Sequence, residues 1–109
     1  MPLKMSEILN PMLAAARKSL GKDWPKVKHY GEPELKRLAQ SLIDITRLTA
    51  IGKTNSQQAK ALLRIHRNTT LTVMLTIEGL GVIAVENAIN AALNAAKTAV
   101  NTAAGIAIL

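Results

Sequence analysis

Apolar side chains recur at helical spacing in the first part of the chain. Asn10 can cap a helix, Pro11 suits the first helical position, and Gly21 can close a helix in the left-handed conformation. The apolar side chains of this run share one face: Met12, Leu13, Ala16 and Leu20. The pattern predicts a first helix over about 11–20, with room for an earlier turn from Ser6.

The stretch that follows, KDWPKVKHYGEP, contains two prolines and one glycine and predicts an extended connector. A second amphipathic pattern predicts a helix over about 33–51 that ends at Gly52. Asn55 and Gln58 then form the sequence of a loose capping box, so a third helix should begin near Ser56.

The C-terminal half carries two conflicting patterns. TLTVMLTI, residues 70–77, alternates polar and β-branched apolar residues, which is typical of a strand and allows a β-hairpin. Polar or small residues nevertheless keep one phase from Thr69 to Asn101, interrupted only by Ile83, at about 3.6 residues per step. We therefore predict helices over about 56–78 and 82–107, with a bend or a break near Gly79 and Gly81.

The predicted fold class is all-α: a single-domain helical bundle with two shorter N-terminal helices and a long Ala-rich C-terminal helix. Unbroken from 56 to 107, the last helix would run on the order of 75 Å. Its distal half would then need neighbouring subunits as partners. A break would instead let the chain close as a bundle of four helices.

Composition favours self-association. The 109 residues contain only 2% aromatic residues, and a core of small side chains buries little area in a single chain. The apolar face of the last helix is the candidate oligomer interface: Ile89, Leu93, Ala96, Val100, Ala103 and Ile106. The apolar ending GIAIL supports docking of this region, because it would otherwise fray into water.

A polar stripe runs along the same helix: Asn87, Asn90, Asn94 and Asn101, with Lys97. One interpretation makes it the solvated face opposite the apolar one. The other places the amides opposite each other in an oligomer, where a buried amide can fix the register. Asparagine is a poor helix former compared with glutamate or lysine, which mildly favours the second interpretation.

The net charge is +7, and the basic excess lies mainly in residues 1–53, with ten Lys and Arg against five Asp and Glu. The candidate basic patch consists of Arg17, Lys18, Lys22, Lys60, Arg64 and Arg67. Such a patch suits an anionic partner, and contact with nucleic acid is a weaker alternative because two aromatics make a poor stacking platform.

No catalytic, metal-binding or cofactor-binding set is predicted. AIGKT resembles the end of a P-loop, but Arg47 stands where that motif needs a glycine. His29 and His66 lack the ligand spacing of a metal site, and His66 is interpreted as a polar residue beside Arg64 and Arg67. Glu78 is the candidate buried acid, and a structural ion pair or contact with water is the simpler interpretation.

A membrane role is a further alternative. Residues 68–85 and 87–109 each approach the length of a spanning helix, but Glu78 and Lys97 oppose insertion. The chain has no Cys, and its start lacks the pattern of a secretory signal, so the cytoplasm is the default compartment.

The sequence thus predicts a non-enzymatic, self-associating helical structural or interaction protein. The alternatives are a membrane-active or pore-forming helical protein and a basic nucleic-acid accessory protein.

Overall fold

The computed structural model describes residues 3–77 and 79–109. Its elements, in chain order, are helix α1 (Met5–Leu20), a 3-10 turn (Gly21–Asp23), and helices α2 (Trp24–Ala50), α3 (Ser56–Met74) and α4 (Val82–Ala104). The prediction of an all-α fold is confirmed, and the described residues contain no strand. Residues 70–74, at the start of the strand-like stretch, belong to α3.

The predicted extended connector is wrong, because residues 21–23 form a 3-10 turn and residues 24–33 already belong to α2. Pro25 lies in the first turn of α2, where a backbone N–H has no helical acceptor, so the proline loses no hydrogen bond. Val27 and Gly31 are buried, so tertiary packing outweighs the local tendency of proline and glycine to interrupt a helix.

The predicted helix lengths also need correction. With 27 residues α2 is longer than α4, which has 23, so the picture of two shorter helices before a long final one is wrong. The first helix begins at Met5 rather than near 11, which places Asn10 and Pro11 inside it. Ile8, which lies in the additional turns, is completely buried, and burying this side chain in the core favours the earlier start of the helix.

Helix ends follow local sequence signals more closely. Asn55 accepts a hydrogen bond from the Gln58 N–H at 2.8 Å, and the Gln58 side chain accepts one from the Asn55 N–H at 3.0 Å. The predicted capping box is therefore present. Gly52 closes α2 with a φ of 79°, and Gly21 closes α1 with a φ of 55° but a ψ of −122°, outside the left-handed helical region.

The chain breaks between α3 and α4, in the region where the sequence predicted a bend or a break. Gly79 adopts a φ of 87°, and Gly81 is the extended N-cap residue of α4. α3 ends at Met74, earlier than the predicted 78, and α4 ends at Ala104, where Gly105 has a φ of 78°. The candidate buried acid, Glu78, lies outside the described residues.

The four helices form an elongated bundle with extents of 42 × 22 × 17 Å. α1 packs most extensively on α4 and also on α2, whereas α3 packs mainly on α2 and only lightly on α4. α1 and α3 lie on opposite sides of the α2–α4 pair. The core is built mostly of aliphatic side chains and alanines, and its largest fully buried members are Ile8, Met12, Leu35, Leu38, Leu42, Met74, Ile89 and Ile108. Among the described helices, none combines the length and the apolar character that a transmembrane span requires.

Candidate functional site

The apolar face of α4 lies against the other helices of its own chain. Ile89, Ala96 and Val100 are completely inaccessible to solvent, and Leu93 is nearly so. Of the six candidate interface residues, only Ala103 is half-buried and only Ile106 is exposed. Most of the surface of these side chains is buried within their own chain, so most of the candidate interface is used inside one bundle.

The asparagine stripe divides into three environments. Asn87 and Asn94 are exposed, as is Lys97. Asn90 is exposed but accepts hydrogen bonds from Arg67, at 2.8 Å from Nη2 and 3.3 Å from Nε. This bond joins the predicted stripe on α4 to the predicted basic patch on α3.

Asn101 fastens the segment that follows α4. Its Oδ1 accepts from the Ile108 N–H at 2.9 Å and from the Leu109 N–H at 3.0 Å, while Nδ2 donates to the Leu109 carbonyl at 3.3 Å. Ile108 is thereby held in the core at 2% exposure. Sequence reasoning anticipated a docked tail but assigned Asn101 to the stripe.

The predicted basic patch is not one cluster. Arg17 and Lys18 lie on α1 and Lys22 in the 3-10 turn, whereas Lys60, Arg64 and Arg67 lie on α3. Because α1 and α3 flank α4 without contacting each other, the six cations form two separate rows. The positions of these residues along the sequence do not predict this separation, because it depends on which helices pack side by side.

The row on α3 borders a groove between α3 and α4 of about 580 Å³. Four apolar side chains line it, and three of them are buried: Leu63, Leu93 and Ile108 are 8%, 9% and 2% exposed, whereas Leu109 is half-buried. Lys60, Arg64 and Arg67 line it as well, with Asn68. We call this set the α3/α4 groove.

The cations of the α3/α4 groove have no carboxylate within salt-bridge distance in the part of the chain that the structure describes. The ion pairs there are Lys26 with Asp23 and Arg37 with Glu34, both within α2 and the turn before it. α3 itself contains no acidic residue. Lys60 and Arg64 are exposed and Arg67 is half-buried, so the groove combines an apolar lining with uncompensated positive charge.

The two histidines occupy separate places. His66 Nδ1 lies 3.1 Å from the Ser41 hydroxyl of α2, so this ring joins α3 to α2. His29 is exposed and lines a different groove, with Glu32 and Lys36. Among residues 3–77 and 79–109, no three His, Asp or Glu side chains gather closely enough to hold a metal ion.

Comparison with known proteins gives no relative: no protein-family model, no curated protein and no solved structure matches this chain.

Proposed function

We propose that this protein is a non-enzymatic helical interaction protein whose α3/α4 groove binds an acidic, amphipathic helical segment of a partner protein. The observation that carries the proposal is the combination of an apolar lining with Lys60, Arg64 and Arg67 in one groove. An amphipathic helix places its apolar residues into such a groove and its charges at the rim.

Charge supports an acidic partner over a basic one. Lys60, Arg64 and Arg67 lie at successive turns of α3, so a segment with carboxylates at similar spacing would meet all three. Complementary charge speeds association and excludes partners of like charge. The apolar lining favours a protein segment over a nucleic-acid backbone, which would offer phosphates but little apolar surface.

The groove also matches the expected size of a short helical contact. From Lys60 to Asn68 its α3 wall spans eight residue steps, or about 12 Å. This length accommodates about two turns of a bound helix. The light packing of α3 on α4 leaves this part of the bundle surface open to a partner.

The test is fluorescence anisotropy with a labelled synthetic peptide that carries leucines on one helical face and glutamates on the other. Wild-type protein should bind it, and binding should weaken as salt is raised. Replacing Lys60 and Arg64 together with Gln should weaken binding by about 3- to 30-fold, because each exposed ion pair contributes up to about 1 kcal/mol. Arg67 is left intact because it also bonds Asn90.

The matched control is the pair Arg17→Gln and Lys18→Gln on α1, which removes the same charge from the other side of α4. This variant should bind the peptide as the wild type does. If both variants lost the same affinity for the peptide, the loss would reflect net charge alone and the proposed binding groove would be wrong.

A peptide of the same composition without an apolar face provides the second control. Preference for an oligonucleotide over the acidic peptide would refute the proposal in favour of nucleic-acid binding.

A further inference from the structure

A pocket of about 370 Å³ lies at the end of the bundle where α2 and α4 finish and α1 begins. Its volume is at the small end of the range of ligand pockets in proteins, about 300–1,000 Å³. It is smaller and more enclosed than the α3/α4 groove, so it suits a small molecule better than a protein segment. Thr46 and Arg47 are its polar lining residues, and we call it the Thr46 pocket. Its apolar lining consists of Leu3, Ile43, Ala50, Ile51 and Ala103.

One face of α2 forms the main wall of the Thr46 pocket. Ile43, Thr46 and Ala50 follow each other at spacings of three and four residues, so their side chains share that face. Thr46 lies in the middle of the face and is only 3% exposed, whereas the neighbouring Arg47 is exposed. The wall therefore places a sheltered hydroxyl beside an accessible guanidinium group.

The Thr46 hydroxyl is the buried side-chain polar group that has no hydrogen-bond partner in the part of the chain that the structure describes. Thr49, on the same helix, donates to the Ile45 carbonyl at 2.8 Å, as helical threonines commonly do. A buried hydroxyl without a partner costs free energy. A ligand atom that accepts the Thr46 hydrogen would recover that cost, so the pocket holds a donor in need of an acceptor.

Arg47 gives the pocket its charge. Among residues 3–77 and 79–109, no carboxylate lies within salt-bridge distance of this guanidinium group. Asp44, one turn earlier on α2, accepts a hydrogen bond from Gln40 at 3.0 Å and does not line the pocket. Guanidinium groups bind carboxylates through paired N–H donors. The polar part of the pocket therefore favours an anionic group that accepts hydrogen bonds.

The charges around the pocket are mixed. Lys4 and Lys53 are exposed and follow the walls Leu3 and Ile51 closely along the chain, and Glu7 is exposed in the first turn of α1. Long-range attraction is therefore weak at this end, and direct contact with Arg47 selects the charge of the ligand.

From these observations we infer that the Thr46 pocket binds a small carboxylate with an unbranched apolar tail, which is the chemistry of a medium-chain fatty acid. One carboxylate oxygen accepts from the Thr46 hydroxyl and the other from Arg47, while the tail lies against the apolar lining. Leu3 precedes α1 and Ile51 follows α2, so these side chains can move to admit the ligand without disrupting a helix. The inference is independent of the α3/α4 groove, which shares no lining residue with this pocket.

The experiment is isothermal titration calorimetry of the full chain with octanoate, octanol and acetate. Octanoate should bind at one site per chain. Octanol has the same tail without the charge and should bind more weakly, and acetate has the head without the tail and should not bind detectably. Absence of octanoate binding, or equal affinity for octanol, would overturn the inference.

Thr46→Val tests the hydroxyl. It should weaken octanoate binding by about 2- to 10-fold, the loss expected for one hydrogen bond. The melting temperature of the ligand-free protein should not fall, because valine has a similar shape and removes an unpaired buried hydroxyl. Thr49→Val is the control and should leave octanoate affinity unchanged, since Thr49 does not line the pocket. A lower melting temperature for Thr46→Val with unchanged affinity would give Thr46 a structural role alone and contradict the inference.

Arg47→Gln tests the charge and should weaken octanoate binding by about 2- to 5-fold, as expected for one exposed ion pair. Affinity for octanol should stay the same. Arg17→Gln is the matched control, because Arg17 also lies exposed in the last turn of a helix, at the other end of the bundle. If both variants lost the same affinity, the contact with Arg47 would be wrong.

Ala50→Leu tests the location. Ala50 is exposed on the pocket wall, so a larger side chain fills the pocket from its rim and should abolish octanoate binding. Ala61→Leu, at an exposed position of α3, is the matched control and should bind as the wild type does. Lys60→Gln with Arg64→Gln should also bind normally, and a loss there would place octanoate in the α3/α4 groove and overturn the inference. If the chain ignores octanoate but forms dimers that Ala50→Leu dissociates, the pocket is a contact between copies and the inference is wrong.

Discussion

At the scale of single residues, the same amino acid has three roles along α4. Asn87 and Asn94 face solvent, Asn90 receives Arg67, and Asn101 bonds the backbone of Ile108 and Leu109. The sequence placed all four in one stripe because helical phase is the information that periodicity carries. The hydrogen-bond partner of each amide depends on which polar groups the fold brings within about 3 Å of it.

The first prediction concerns Asn101→Ala. It removes three hydrogen bonds that hold the segment after α4, so Ile108 loses its anchor in the core. We expect the free energy of unfolding to fall by about 1–3 kcal/mol, as measured by urea denaturation. Asn94→Ala makes the same change in helix propensity at an exposed site and should be neutral or slightly stabilising. Similar values for the two variants would contradict the anchoring role of Asn101.

At the scale of elements, the local signals for helix ends were more reliable than those for helix interruption. The capping box at Asn55 and the closing glycine at position 52 are both present. These signals work because their hydrogen bonds or φ angles are satisfied within a few residues. Pro33 and Gly31 indicated a non-helical connector, yet both lie inside α2, where burial of the neighbouring Val27 and Leu35 compensates.

A second prediction tests this compensation with Pro33→Ala. Pro33 lies in the interior of α2 with its ring exposed, and an interior proline removes one helical hydrogen bond. Replacement should restore that bond and raise the free energy of unfolding by at least about 1 kcal/mol, offset in part by the freer unfolded chain.

Pro25→Ala is the control for that variant, because Pro25 lies in the first turn of α2 where the N–H has no helical acceptor. It should change stability by less than about 0.5 kcal/mol. If thermal denaturation shows the same gain at both positions, helix interruption at Pro33 is not the cause.

At the scale of the whole molecule, the sparse supply of large side chains suggested that partner chains were needed to complete the core. The bundle instead buries the apolar face of α4 against α1 and α2 of the same chain. Self-association therefore remains a proposal that would require other surfaces, such as those around the exposed Ile65 and Ile106.

The third prediction separates a core role from an interface role for Val100, which is completely buried. Val100→Ala should lower the free energy of unfolding by about 2 kcal/mol through lost burial and a small cavity. The loss should be the same at low and high protein concentration, since it arises within one chain.

Val100 would instead belong to a subunit interface if unfolding of this variant depended on protein concentration. In that case the mass measured by light scattering should fall from a multiple of 11.7 kDa to that of one copy. An unchanged mass with a uniform loss of stability would support the single-chain core.

The sequence by itself determined the helical class, the capping box at α3, the glycine that closes α2 and the region of the break before α4. Each of these follows from periodicity or from contacts within a few residues. The tertiary structure decided the continuity of helix through Pro25 and Pro33, the separation of the six cations into two rows, and the different partners of the asparagines. These features depend on which helices pack side by side, and side-chain contacts between distant segments leave no periodic trace in a single sequence.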